Sequence, residues 1–301
     1  MADPVSGRAS GRASGRASGR ASGGGHPRRG WARHAVLIGL AIVLLLTIAP
    51  FLVVALNAVK TPADYATRGP IAVPRSLNLA GVVEFWHRVD FTRKLVNSLV
   101  VSGAVAVLGV AVSVMNAYAL GIGKVRGRIW FLFFFLAANL LPQEALVYPL
   151  YYLAKSLHLY DSLAVVIIIF TVIQSAFGTY LLSSVYDQFP RDLLDAAAID
   201  GAGKWRTLVR IVVPVSWQTV SVLFAFFFIW TWNEFFLPLV FLISNDNQTV
   251  PVALGVLQGQ RFMDATTTSA SALIGILPAV AFFLLFQRTL IRGVTAGAVK
   301  G

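Results

Sequence analysis

The sequence predicts an all-α integral membrane fold with six transmembrane helices, on three observations. Of 301 residues, 57% are hydrophobic and only 13% charged, with mean hydropathy +0.73; soluble domains carry roughly twice that charge. The apolar residues are gathered into runs, and about 20 residues of apolar helix cross a bilayer. The basic residues behind the net charge of +12 lie mostly between the runs, where they orient a membrane protein rather than bind nucleic acid. Cysteine is absent, which excludes disulfides, thiolate metal sites and cysteine nucleophiles.

Residues 1–33 read as a disordered cytoplasmic tail. Gly-Arg-Ala-Ser repeats run from Gly7 to Ser22 and end in Gly23, Gly24 and Gly25, with nothing apolar to bury. Arg28, Arg29 and Arg33 flank the first run, as a topogenic cluster or as an arm touching anionic lipid. The rest, 34–301, reads as one transmembrane domain. Its first run, His34–Leu56, is about twice the length of a signal-peptide core and is expected to stay as an uncleaved helix. The other spans are expected at Leu95–Leu120, Ile129–Leu153, Leu163–Ser183, Trp217–Ile243 and Ser269–Ile291.

Six crossings put both termini on one side. The tail, Lys124, Arg126 and Arg128, the loop with Arg191, Lys204, Arg206 and Arg210, and the C-terminal Arg288, Arg292 and Lys300 make that side the cytoplasm. The other side holds Lys60, Arg68, Arg75, Arg88, Arg93, Lys94, Lys155 and Arg261. Without the tail the two sides nearly balance. Outside, the Pro-broken stretch Asn57–Thr92 reads as a small external segment, and a second one, Asn245–Thr268, is expected to cap the bundle.

The loop 186–214 is unlike an ordinary connection. Phe189-Pro190 starts a helix, Asp192 and Asp195 lie near the positive end of its dipole, and Asp195-Ala196-Ala197-Ala198-Ile199 extends it. Asp200-Gly201 is a turn. Trp205, Leu208, Val209 and Val212 then form an apolar stripe, with Lys204, Arg206 and Arg210 on other faces and Pro214 closing the stretch. Two short helices around a glycine turn make either a docking knob or a bare interfacial pair.

The segment Asp195-Ala196-Ala197-Ala198-Ile199-Asp200-Gly201-Ala202, followed by Ile211-Val212-Val213-Pro214, resembles the EAA loop of bacterial ABC-importer permeases, with Asp195 where that family usually has glutamate. Asn97-Ser98, Ala117-Tyr118-Ala119-Leu120, Trp232-Asn233-Glu234-Phe235, Thr249-Val250-Pro251-Val252 and the stretch from Phe286-Gln287-Arg288 to Gly301 are similar to the maltose-type carbohydrate branch and its G-type subunit. The resemblance implies a type I importer permease. Its partners would be a second permease, two cytoplasmic ATPases that bind ATP and Mg, an extracytoplasmic solute-binding protein and membrane lipid. It implies Asp195, Ala196, Ala197, Asp200, Gly201 and Ala202 as the ATPase-coupling site; the short polar end Gly297–Gly301 is by its composition a second candidate to reach the ATPases.

The chain carries no phosphate-cradling motif: Gly123-Lys124 is followed by Val125, and Gly203-Lys204 by Trp205. It holds no cofactor or catalytic residue that the sequence reveals. His26, His34, His87 and His158 lack metal spacing. Polar residues inside spans are path candidates because lipid penalises them. Glu234 and Asn233 in the fifth span, and Glu144 beside Gln143 and Pro142 in the third, lead; Tyr148, Tyr151, Trp230 and Trp232 offer rings that could stack on a sugar. Asn116, Asn139 and Gln174 are further path candidates that read first as helix–helix glue. Pro142, Pro149, Pro238 and Pro278 are expected to kink their spans. The alternatives are an ion-coupled secondary transporter, which needs an internal repeat and more buried charge, and a membrane enzyme, which needs clustered acids or histidines.

Overall fold

The structure, a computed structural model, describes residues 28–258 and 264–298. The repeats of the N-terminal tail, Arg261 and residues 299–301 of the Gly297–Gly301 end lie outside the described residues. The chain divides into two units, residues 1–50 and 51–301. Helix α1 (Arg28–Ala58) runs from the first unit into the second; it begins before the expected His34, and its side chains from Val36 to Leu46 are exposed and apolar. An exposed, apolar helix surface of this kind suits lipid as its solvent.

In the second unit, α2 (Pro62–Arg68) and α3 (Ala80–Arg88) build the segment expected to lie outside the spans. Thr61 caps α2 by accepting from the Asp64 N–H at 3.1 Å. The buried Lys60 ammonium donates to Asn57 Oδ1 at 2.9 Å and to the carbonyls of Gly69 and Pro70 at 3.0 and 3.1 Å. All three of its protons are satisfied, which is what allows its burial. The helices that follow are α4 (Phe91–Ala117), prolonged by a π turn at Tyr118–Ile122, α5 (Arg128–Leu140), α6 (Gln143–Ser156) and α7 (Leu163–Asp187). After them come α8 (Arg191–Ile199), α9 (Lys204–Val215), α10 (Trp217–Trp232), α11 (Phe236–Phe241), α12 (Val250–Gln258) and α13 (Ala265–Ala298).

Among the described residues, four helices are long and apolar enough to cross a membrane alone: α1, α4, α7 and α13. The number rises to six if each of two bent pairs is one span: α5 with α6, bent by 98°, and α9 with α10, bent by 82°. The expected continuous span Ile129–Leu153 is therefore a broken one. Leu141 is extended (ψ 126°) because Pro142 clashes with a helical residue before it and has no N–H to continue the ladder. The expected span Trp217–Ile243 likewise stops at Trp232 and resumes only as the short α11. Pro149 and Pro278 sit inside α6 and α13 without ending them.

The most extensive helix pair is α4 with α7. A Cβ on Gly178 would collide with Ser113 and Phe227, so only glycine permits this approach. Ser113 Oγ sits between the carbonyls of Gly109 on its own helix and Ser175 across the interface, at 2.6 and 3.3 Å. Small residues and shared hydroxyls replace the hydrophobic effect that lipid cannot supply between helices. The segment 243–250 is tied to α4: buried Lys94 donates to the Asn245 carbonyl, Asn97 to those of Asp246 and Gln248 at 2.8 and 3.0 Å, and Ser98 Oγ accepts from the Val250 N–H at 2.8 Å.

Candidate functional site

The loop 186–214 folds as two helices around one turn. Pro190 stands just outside α8 as its cap rather than in its first turn, so Asp192 alone is the acid of that turn and Asp195 lies mid-helix. At the other end the Gly201 N–H donates to the Ala198 carbonyl at 3.1 Å and the Ala202 N–H to that of Ala197 at 2.9 Å. With Gly201 at φ +67°, these two bonds make a Schellman turn. No atom stands within 4 Å of a Cβ built on Gly201. The glycine is needed for its backbone angle, not for space.

The predicted loop residues take two roles. Asp195, Ala196, Asp200 and Gly201 are exposed, and beside them Ile199 is 86% exposed. Ala197 is only 4% exposed, and with Ala202 it serves the turn instead of the outer face. The apolar stripe expected on α9 is split. Leu208 and Val212 are buried, while Trp205 is 68% exposed and Val209 lies outward as well. The π turn Leu208–Val212 carries one residue more than an α turn and shifts the phase of the stripe.

The hairpin is rooted in the protein interior. Phe189, Leu208 and Val212 belong to one buried cluster with Leu182, Tyr186, Leu223 and Phe227, and Leu194 packs against it. Tyr186 is fully buried and shares a hydrogen bond with Ser216 Oγ at 3.1 Å, so the end of α7 is joined to the bend before α10. A bidentate pair, Arg128 to Asp187 at 2.7 and 3.2 Å, ties the start of α5 to the end of α7 beside the loop. The loop is thus joined to the long helices by packing and by hydrogen bonds.

The path candidates do not come together. Glu234 is half-buried and lines a cleft of about 90 Å³ with Asn139, Gln143, Gln174 and Trp230. Asn233 turns away, donates to the Ile229 carbonyl at 2.7 Å, and borders an apolar groove with Phe177 and Phe226. Glu144 and Tyr148 stand on an exposed face of α6, where Tyr148 and Tyr152 share a hydroxyl contact of 3.3 Å. Of the residues read as glue, Gln174 bonds Thr231 across helices at 2.8 Å and Asn116 bonds Thr179 at 3.4 Å. Asn139 instead donates back to Phe135 on its own helix at 2.8 Å. Glu234, Gln143, Asn139, Gln174 and Trp230 are each legible one by one as polar or aromatic residues of the apolar runs, but the sequence does not group them, because they come from separate helices. Among the described residues no group of three or more His, Asp or Glu could hold a metal.

A polytopic helical bundle with two broken spans and a rooted helical hairpin on its connecting loop has the architecture of a transport permease. Residues 109–295 match the family described as binding-protein-dependent transport system inner membrane component, and the chain belongs to that family. It is accordingly a multi-pass protein of the cytoplasmic membrane and a transport component rather than an enzyme. It is 30% identical to the trehalose/maltose transport system permease protein MalG of Thermococcus litoralis, over 71% of this chain and 77% of that one. The sn-glycerol-3-phosphate transport system permease protein UgpE of Rhizobium meliloti is 29% identical, over 86% and 93%. The fold is shared, at TM-score 0.73 and 20% identity, with a chain of a bacterial ABC transporter involved in import of the acidic polysaccharide alginate, over 87% of this chain and 96% of that one.

Proposed function

We propose that the chain is a permease subunit that moves a carbohydrate-type solute inward, paired with a second permease, driven by two separate ATPases that hold ATP and Mg, and supplied by an extracytoplasmic binding protein. The observation that carries the coupling is the hairpin of α8 and α9: a face of Asp195, Ala196, Ile199 and Asp200 held outward by a glycine turn and rooted in the core through Phe189, Leu208 and Val212. A surface both exposed and rigidly attached can pass a partner's motion to the spans. ATP-driven closure of the ATPases would shift the permease between inward and outward states through differences in state energy. In this reading both termini face the cytoplasm, on the same side as the hairpin, and residues 1–33 form a tail outside the transmembrane domain 34–301. The carbohydrate class rests on relatives named for trehalose/maltose and glycerol phosphate.

The absence of cysteine makes the test direct. In the assembled importer, an Ala196→Cys thiol should be crosslinked by a short bifunctional reagent to the ATPase, and the yield should change on adding ATP with vanadate. A crosslink to lipid or to the second permease, with none to an ATPase, contradicts the coupling role.

A further inference from the structure

We infer that the adjacent residues Tyr186 and Asp187 form a yoke at the end of α7. They are positioning residues that tie the start of α5 and the bend before α10 to one point, so that a displacement entering through α8 reaches both bent pairs together. The inference rests on the transport reading above and deepens it, by naming the side chains that carry motion beyond the hairpin.

Successive residues of a helix point about 100° apart, so neighbours in sequence reach different elements. Tyr186 is 1% exposed and turns inward, while Asp187, the last residue of α7, is exposed. The inward arm has a defined direction. Ser216 Oγ has one proton and donates it to the Val212 carbonyl at 2.6 Å, so the Tyr186 hydroxyl is the donor in its 3.1 Å bond to Ser216. The Ser216 N–H also donates to Val212, at 2.9 Å. Ser216 is the one residue between α9 and α10, where the chain bends by 82°. The tyrosine therefore holds the hinge residue itself, from another helix. Packing limits its freedom to swing: a Cβ on Gly121, in the π turn that ends α4, would stand 2.7 Å from Tyr186 Cβ.

The outward arm is the bidentate pair of Asp187 with Arg128, the first residue of α5. An exposed pair adds little stability, but its two parallel bonds fix a direction. Breaking it should cost position rather than folding. Both arms leave α7 just before Phe189, which is buried in the same cluster as Tyr186 and leads into α8. Coupling over a distance is carried by such packed and hydrogen-bonded links between elements.

The cysteine-free chain lets nitroxide pairs be placed in the whole importer, with the partners' cysteines replaced. Val83→Cys on α3 is the reference, paired with Phe134→Cys on α5 or with Phe226→Cys on α10; all three side chains are exposed. Spin-echo distances are measured without nucleotide and with ATP and vanadate. Both distances should shift when Tyr186 and Asp187 are intact. Asp187→Asn should remove the Phe134 shift and keep the Phe226 shift, and Asp187→Glu, which retains the charge, should keep both. Tyr186→Phe should remove the Phe226 shift and keep the Phe134 shift. Ser216→Ala should match it, which keeps the test valid where the tyrosine variant fails to fold. No shift with both residues intact and the ATPase bound, shifts that survive every variant, or loss of both shifts together in any one variant overturns the yoke. Failure to recover an ATPase with the labelled chain removes the importer reading as well.

Discussion

Gly201 carries the sharpest residue-level expectation. Its φ of +67° lies where a side chain costs about 1–2 kcal/mol, and most for a β-branched one. Gly201→Val should leave membrane insertion intact but lower ATP-coupled uptake, while Gly201→Asn, which tolerates the left-handed region, should retain most of it. Equal loss in both variants, measured in reconstituted vesicles, would mean the angle is not what matters. Neighbouring alanines divide in the same manner. Ala197→Leu overpacks a buried position and should cost about 1–3 kcal/mol of stability. Ala196→Leu, on the outer face, should spare stability and weaken only ATPase docking, as read by thermal unfolding and co-purification. The turn was legible in the sequence because Asp-Gly after a run of alanines has few other uses. That Ala197 faces inward was not, since four similar small or apolar residues in a row give no phase.

At the scale of elements, the apolar runs located every span but hid two discontinuities. Hydropathy sums composition over a window and is blind to the direction of the backbone. Pro142 was visible, yet a proline can kink a helix or end it, and the outcome depended on Leu141 becoming extended. The break after Trp232 has no proline to announce it. Tertiary packing also set the α9 register, through a π turn that no periodicity reveals. The segment after α11 gives a testable electrostatic case. Burial alone would raise the Asp161 carboxyl, but the Ser244 N–H and hydroxyl donate to it at 3.0 and 3.1 Å and hold it below the usual 3.8. Because the folded value is depressed, this stabilisation is complete above pH 3.8 and fades as pH falls through the lower value. Asp161→Asn should therefore loosen the 243–250 segment at neutral pH by about 1 kcal/mol, a figure limited by partial exposure. Proteolysis of that segment should accelerate in the variant and show no pH dependence between pH 5 and 8 in the parent chain.

For the whole molecule, the helical membrane architecture and the family were both readable, because composition fixed the solvent and a helix-turn motif of defined spacing fixed the resemblance. The cleft of Gln174, Glu234 and Asn139 was not, since it exists only once α5, α7 and α10 are brought together. The central claim is that this chain does its work inside a larger machine whose energy comes from another polypeptide. Mild-detergent purification of the tagged chain from its native membrane tests that claim most directly. A second permease and an ATPase should be recovered with it. A chain recovered alone, under conditions that keep other membrane complexes intact, would contradict the account and favour an ion-coupled transporter.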